Sequence, residues 1–422
     1  MLQFIKGFNL LIFAMFTMFY AYQLFYVVAA LWHDRKKQSI PQAGKLHKYA
    51  AVISARNESA VIGELVHSIK KQRYPAELLD VFVIADNCTD NTADVARHAG
   101  AIVFERMNRT QVGKGYALDY AFQRIANEFA QAKYDGYFIF DADNLLDPNY
   151  VSEMNKVFDS GYRVVTSYRN SKNFDSNWIS AGSALWFLRE AKFLNNSRMI
   201  LGTNCAVSGT GFLVSSKVIE ERGGWKYHLL TEDIQFSIDC AVEDERVGYC
   251  ATAVFYDEQP VTFEQSWNQR LRWSKGFYQV FARYGKKLTW GVLKRHSFSC
   301  YDMLMTVAPA MLLTMASVAV NAFFFISAML STPVALPIMK VTFASILSSF
   351  SGFYFTLLFF GTVTVITEWK HINTTAGRKI LYTFTFPLFI FTYIPIALVA
   401  LFCKIEWKPI AHTISKSIEE FQ

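Results

Sequence analysis

The stretch Phe138-Ile139-Phe140-Asp141-Ala142-Asp143-Asn144 decides how this chain is read, because an apolar run that begins after Gly136 ends in two carboxylates one residue apart. A short uninterrupted apolar run is the pattern of a strand covered on both faces. Open α/β sheets bind ligands at the carboxyl ends of such strands. Two carboxylates there lose hydration unless a cation compensates them, and Asp oxygens suit hard Mg2+ or Mn2+. An Asx turn after an ordinary strand uses the same residue types, so the assignment turns on what surrounds the stretch.

Outward from it the chain alternates. Residues 49–54, 80–85 and 101–105 read as further strands, and residues 59–72, 92–98 and 114–130 carry helical periodicity. Strands separated by helices of this length predict an α/β domain with right-handed crossovers and a mostly parallel sheet. Polar residues cluster where these strands end: Arg56, Asn57 and Glu58 after the first, and Asp86, Asn87 and Asp90 after the second. Gly113-Lys114-Gly115 opens the long helix, where free N–H groups, the helix dipole and an ammonium suit a phosphate. A flexible helix start explains a lone GKG equally well. Neither GxxxxGKS/T nor GxGxxG occurs, which removes the P-loop and the dinucleotide fingerprint.

The 422 residues are 52% hydrophobic, with 38 Phe and 21 Tyr, and this apolar character is unevenly placed. Residues 9–32 hold no charge, and long apolar windows return only near 303–329, 343–366 and 380–402. Each is long enough to cross about 30 Å of hydrocarbon. The first has an apolar core too long for a signal peptide and reads as an uncleaved anchor. Four units follow: 1–37, anchor and basic flank; 38–260, soluble domain; 261–300, amphipathic helices; 301–422, a membrane region of about three segments and a tail. His33-Asp34-Arg35-Lys36-Lys37 on one side and Lys286, Lys287, Lys294 and Arg295 on the other place the soluble domain in the cytoplasm by the positive-inside rule. These flanks account for most of the formal net charge of +7, so nucleic acid is not expected as a partner. Cys88, Cys205, Cys240, Cys250, Cys300 and Cys403 form no CxxC pair and no zinc-type spacing with His, as expected of reduced cytosolic thiols.

Seven motifs in one order, ARNE (55–58), VIADNCTDNT (83–92), GKGYAL (113–118), FDADN (140–144), SGTGF (208–212), LLTEDIQF (229–236) and QRLRW (269–273), resemble the membrane-bound inverting family 2 glycosyltransferases, the branch with cellulose, chitin and hyaluronan synthases. The resemblance implies a GT-A (Rossmann-like) domain between an N-terminal transmembrane helix and a C-terminal helical membrane region. It implies a UDP-sugar donor held by Arg56, Glu58, Asp86, Lys114, Asp141 and Arg272. It also implies an Mg2+ or Mn2+ on Asp143 and Asp141, and an acceptor at Trp273, Gly209, Thr210, Gly211 and Gln269. Asp233 becomes the general base, with Glu232 and Arg272 beside it in the catalytic group. Residues 231–233 alone also read as the start of a helix whose dipole favours acids. One departure is Ala85, where the family often has a second Asp; Asp86 keeps the position that contacts uracil in relatives.

Charge building on a departing diphosphate needs cationic groups, and an attacking hydroxyl needs a base within hydrogen-bond reach. The expected activity is therefore processive polymerisation of a UDP-hexose, glucose or N-acetylglucosamine, into an exported polysaccharide. The alternative is non-processive transfer to a membrane lipid. The expected partners are thus the donor, a growing glycan or lipid acceptor, and membrane lipids. A degenerate receptor or transporter would lack the acids, and all are present. Residues 263–284 read as an interfacial amphipathic helix with Trp267, Leu271, Tyr278 and Phe281 on the apolar stripe and Arg270, Lys275 and Arg283 off it. Four simple spans put the C-terminus outside, whereas Lys404, Lys408 and Lys416 in the tail and Lys370, Arg378 and Lys379 in the preceding loop all ask to be inside. Pro387 and Pro395 allow a broken or re-entrant last segment, which would reconcile them.

Overall fold

The computed structural model describes residues 2–34, 42–330, 335–405, 412 and 414–421. Arg35, Lys36 and Lys37 of the basic flank, the boundary between residues 37 and 38, and Lys408 lie outside the described residues. The chain opens with α1 (Leu2–Tyr20) and α2 (Tyr22–Asp34), then runs through β1 (Tyr49–Ala55), α3 (Ile62–Lys70), β2 (Leu79–Asp86), α4 (Thr92–His98), β3 (Ile102–Arg106), α5 (Lys114–Glu128) and β4 (Gly136–Asp141). The next elements are β5 (Leu145–Leu146), α6 (Tyr150–Asp159), β6 (Val164–Ser171), α7 (Trp178–Arg189), a π-helical turn (Glu190–Asn195), α8 (Asn196–Leu201), β7 (Phe212–Ser215) and α9 (Ser216–Glu221). They lead to α10 (Glu232–Val242), β8 (Val247–Asp257), α11 (Phe263–Arg295), α12 (Phe298–Val307), α13 (Pro309–Leu330), α14 (Ala335–Thr367), α15 (Ala376–Phe391) and α16 (Tyr393–Phe402).

The eight strands form one sheet in the order β3-β2-β1-β4-β7-β6-β8-β5. From β3 to β4 every pairing is parallel, as the alternation of strands and helices requires. Beyond β4 the sheet is mixed: β7 runs antiparallel to both neighbours, β6 is parallel to β8, and β5 is antiparallel to β8. The mostly parallel expectation thus holds for half the sheet, because β7 enters between β4 and β6 without a crossover helix of its own. Both faces of the first half are covered, which explains its continuous apolar runs. In β1, Ala50 and Val52 pack with Leu118, Phe122 and Ile125 of α5, while Tyr49, Ala51 and Ile53 pack with Leu65 and Val66 of α3 on the other face.

Four helical stretches are long and apolar enough to cross a membrane: Leu2–His33, Leu312–Leu330, Leu336–Thr367 and Ala376–Phe402. The second begins later than the sequence suggests, since Met303, Met305 and Val307 belong to α12 and are buried, Met303 and Val307 among residues of α10 and α11. The fourth is broken at Thr392, which caps the start of Tyr393–Phe402, and Pro387 lies inside α15. Both ends of this broken pair lead back to the sheet domain. Before it, Asn170 Nδ2 donates to His371 O at 3.0 Å, and in its first turn Arg378 pairs with Asp175 at 3.1 Å. After it, Lys71 pairs with Glu419 at 2.6 Å and Phe421 stacks on Tyr256 with ring centroids 4.5 Å apart.

Helix α11 is a single 33-residue helix, and its buried stripe differs from the expected one. Ser266, Arg270, Ser274, Val280, Tyr284 and Leu288 face inward, while Trp267, Leu271, Tyr278 and Phe281 are half-buried. Arg270, expected off the stripe, is 1% exposed. Its guanidinium donates to Phe389 O at 3.1 Å and to Thr392 Oγ1, so it satisfies backbone at the break between α15 and α16. The tertiary partner overrides a hydrophobicity pattern in which Arg counts as polar.

Candidate active site

The carboxyl ends of β1, β2, β4, β6 and β8, the Ser208–Gly211 turn and the start of α10 meet at one edge of the sheet. Asp141 ends β4, and its backbone N–H donates to Thr210 Oγ1 at 2.8 Å. Its carboxylate accepts from Lys114 Nζ, which also donates to Gly209 O at 2.6 Å. Lys114 thereby ties the opening of α5 to the FDADN and SGTGF turns. The second glycine of the GKG motif has its own role: a Cβ on Gly115 would lie 2.1 Å from Tyr227 O, so only glycine lets α5 meet the segment leading to Thr231.

Asp143 is 5% exposed. Its Oδ2 accepts from the Glu258 N–H at 2.8 Å and its Oδ1 from Asn144 Nδ2 at 3.3 Å. Burial disfavours its charge, but His412, Lys172, the Glu258 N–H and Arg169 together hold it below the ordinary carboxylate range. Around it stand four more acids. Glu58 is buried and pushed up to about 7, first by burial and then by Asp143 and Asp141, with the His412 hydrogen bond opposing. Asp257 is also raised by burial and bonds the Arg169 guanidinium. Glu258 and Asp141 complete the group.

The imidazole of His412 lies 2.9 and 3.0 Å from the two Glu58 oxygens, a contact across 354 positions. Burial would lower its pKa, but Asp143, Glu58 and Glu258 raise it to about 10. The tail continues over the domain, with the Ile414 N–H donating to Glu258 Oε2 at 3.0 Å and Lys416 Nζ to Lys172 O at 3.0 Å.

Glu232 and Asp233 occupy the first turn of α10, where helix N–H groups favour acids. Burial pushes both up, Glu232 to about 7 with Asp233's charge as the second cause, while Lys114 and Arg272 oppose in both cases. A Cβ built on Gly209 would lie 3.7 Å from Asp233 Oδ2, so this carboxylate faces the same turn that Lys114 holds. Arg272 Nη1 donates to Leu230 O at 3.4 Å, two residues before the pair. Gly276, one turn on, lets α11 approach: a Cβ there would stand 2.5 Å from Thr231 Oγ1. The Trp273 ring meets Phe187 edge-on at 6.0 Å, and Phe187 in turn lies 3.5 Å beneath the Arg169 guanidinium.

The sequence-derived residues therefore fall into three places. Lys114, Asp141, Gly209, Thr210, Gly211, Glu232, Asp233 and Arg272 converge. Glu58 and Asp143 form the acid cluster beside them. Asp86 is held apart, at the end of β2, by a buried ion pair with Arg106 at 2.5 Å. Arg56 follows β1, half-buried, and Gln269 is half-buried on α11 one turn before Trp273. Asp90 is structural: it accepts from Thr92 N–H at 3.1 Å and Ser59 N–H at 3.3 Å. Arg169, Lys172, Asp257, Glu258 and His412 were not anticipated. The first four end β6 and β8 in the same polar manner that singled out β1, β2 and β4, and could have been found by it. His412 has no such local mark.

Among the described residues no three His, Cys, Asp or Glu side chains form a ready metal cage. The donor set nevertheless fits Mg2+ or Mn2+, because such ions take one or two carboxylates and complete their shell with substrate phosphate and water. Asp143 and Asp141 offer those carboxylates at the strand end.

An α/β sheet of this order with a lysine, an arginine and two acid pairs at its carboxyl edge defines a GT-A glycosyltransferase. Residues 47–276, more than half of the chain, match the model described as "Glycosyltransferase like family 2", and the chain belongs to that family. Among curated proteins it is similar to the "Probable glycosyltransferase YdaM" of Bacillus subtilis, 22% identical over 60% of this chain and 59% of the relative. It is 26% identical to a beta-monoglucosyldiacylglycerol synthase of Synechocystis over 55% and 48%, and 24% identical to a poly-beta-1,6-N-acetyl-D-glucosamine synthase of Staphylococcus epidermidis over 60% and 59%. The chain thus spans about half to three-fifths of the length of these relatives. Its fold is similar to that of the mannosyltransferase PcManGT of Pyrobaculum calidifontis, solved with GDP-Man and Mn2+, at a TM-score of 0.55 and 17% identity, covering 94% of this chain and 99% of that one.

Proposed function

We propose that this glycosyltransferase moves a hexose from a UDP-hexose to an acceptor hydroxyl with inversion, building a polysaccharide at the inner face of the membrane. The observation that carries the reading is the meeting of Lys114, Arg272, Asp233 and the Gly209 turn beside the buried Asp143. Lys114 and Arg272 bring positive charge to the space in front of Asp233, where a diphosphate oxygen gains negative charge as its bond to C1 breaks. Asp233, kept basic by burial, takes the proton of the acceptor hydroxyl as that oxygen bonds to C1, and the electron pair of the broken bond leaves with UDP. One displacement at an α-linked C1 gives a β-linked product. Asp143 and Asp141 would hold a divalent ion, which when bound would supply Lewis-acid stabilisation of the leaving group.

The membrane reading follows from the contacts of the last elements. With Leu2–His33, α13 and α14 crossing and α15–α16 starting and ending on the catalytic side, both lysine-bearing segments 369–379 and 414–421 lie with the cytoplasmic domain. That arrangement removes the charge conflict.

A second reading, transfer to a membrane lipid, is favoured by the seam between α11 and α15–α16. Arg270, Lys275 and Tyr278 close it with hydrogen bonds to Phe389 O, Ala400 O and Ala397 O, which suits a headgroup presented from the bilayer better than a passing chain. Incubating the purified protein in lipid with labelled UDP-glucose or UDP-N-acetylglucosamine and sizing the product separates the two. A long chain cleaved by β-glycosidases is the expected result, and label confined to a single-sugar lipid would overturn it.

A further inference from the structure

The turn at residues 208–211, which faces Asp233, is gripped at every residue. Gly209 O accepts from Lys114 Nζ at 2.6 Å, Thr210 Oγ1 donates to Asn144 Oδ1, and Gly211 O accepts from Ser167 Oγ at 2.5 Å. Ser208 is held twice: its carbonyl accepts from Arg169 Nη1 at 3.0 Å, and its hydroxyl donates to Glu190 Oε1. Glu190 opens the π-helical turn Glu190–Asn195, an irregularity that is frequent at functional sites. The cavity that it lines with Arg169, Ser208 and Thr210 measures about 10 Å³, room for one water and not for a sugar. Glu190 therefore reaches the turn rather than a ligand. Its own place is fixed from the far side. Lys192, in the same π-helical turn, lies 3.7 Å from Glu368, the residue that follows α14, and Glu368 also accepts from Tyr168, the neighbour of Arg169. Glu368 is 3% exposed. Both side chains that hold Ser208 are thus braced, through residues one and two positions away, against the end of a helix long and apolar enough to cross a membrane.

We infer that Glu190 is a positioning residue for the proton transfer, setting the turn at residues 208–211 against Asp233 through Ser208. This rests on the proposed role of Asp233 as general base. A base works only within hydrogen-bond reach of the proton it takes, about 2.6–3.2 Å between heavy atoms. Asp233 Oδ2 stands against Gly209, 3.7 Å from where a Cβ would be. A shift of the turn therefore changes the space in which the acceptor hydroxyl meets the carboxylate. A displacement of about 1 Å at such a place slows a reaction about 10²-fold. The donor end is secured independently, since Lys114 keeps Asp141 as a partner when Gly209 moves. The signature of Glu190 is a loss in kcat with the donor KM preserved.

The test is transfer kinetics of the full chain in lipid with labelled UDP-glucose or UDP-N-acetylglucosamine, on Glu190→Ala, Glu190→Gln, Ser208→Ala and the double variant Glu190→Ala/Ser208→Ala. The two single alanine variants each lower kcat about tenfold to a hundredfold and leave the donor KM within about threefold of wild type. The double variant loses no more than either single one, because both changes remove the same hydrogen bond. Glu190→Gln keeps an oxygen for the Ser208 hydroxyl and stays within about threefold of wild type in both constants. If Glu190→Ala does not fold, Ser208→Ala, which removes a single oxygen atom, decides by the same split between kcat and KM. Losses that multiply in the double variant, a donor KM that rises as far as kcat falls, or a kcat of Ser208→Ala within about threefold of wild type overturn the inference. Unimpaired transfer by Asp233→Asn sinks instead the base assignment on which it rests, and no transfer by wild type from either donor sinks the UDP-hexose reading.

Discussion

Two acid pairs stand at the same edge of the sheet and are held in opposite states. Asp143, beside Asp141, has His412, Lys172 and Arg169 around it and is kept anionic despite burial. Glu232 is buried and Asp233 half-buried, and desolvation pushes both up, with Asp233's charge adding to the shift of Glu232, although Lys114 and Arg272 lie near. The same residue types thus acquire different chemistry from their surroundings: a carboxylate held below its ordinary range suits a cation, and one pushed above that range suits a proton.

The largest effect belongs to the charged side. Asp143→Asn removes the anion that His412, Lys172 and Arg169 compensate, and turnover should be lost together with metal-dependent UDP binding, while a thermal melt shows a folded protein. Near-normal rate in the presence of a chelator would exclude Asp143 as a metal ligand. On the proton side, Asp233→Asn should bind UDP-sugar almost normally and transfer about 10²-fold or more slowly, since a general base acts on the rate rather than on donor affinity. Single-turnover kinetics and donor titration separate the two, and unimpaired transfer removes Asp233 from its role.

A smaller effect is expected from the tail. His412 gives Glu58 its hydrogen bond and adds positive charge beside Asp143. His412→Ala should raise the KM for donor about tenfold, the low end of what a hydrogen bond to a charged group contributes, with kcat little changed. An equal fall in kcat would instead place His412 in the transition state, and no change would make the tail contact incidental.

How far these sites could be read in advance follows from how each is encoded. The strands β1 to β4 were legible because burial on both faces writes a continuous apolar run, and the acids after them because packing does not need polar residues at the strand ends where ligands bind. The mixed half was not, since the placement of β7 between β4 and β6 depends on pairing between residues 46 to 79 positions apart. Arg106 hid inside a strand as an ordinary edge residue, and its meaning appears only when β2 and β3 pair Asp86 with it. Arg270 was misassigned for a related reason: its partner, the break at Thr392, is more than a hundred residues away. His412 is the extreme case, because no periodicity or spacing predicts that a tail returns to the first strand end.

The smallest prediction concerns why Glu232 precedes the base. Its own pKa of about 7 comes first from burial and then from Asp233, and the two acids share the influence of Lys114 and Arg272. Two such neighbours titrate as a pair, so below about pH 7 they hold a proton between them and Asp233 is not always free. Transfer by wild type should therefore fall as pH drops through about 7. Glu232→Gln removes the repelling charge while keeping the side chain's size, which lets Asp233 give up its proton at lower pH. The ascending limb of kcat against pH should then move to lower pH, so the variant gains on wild type at pH 6 and differs from it by no more than a few-fold above pH 8. The direction is the informative part: an unmoved limb would mean that the base does not feel Glu232, and a limb displaced upward would mean that Glu232 stabilises the ionised base instead of opposing it.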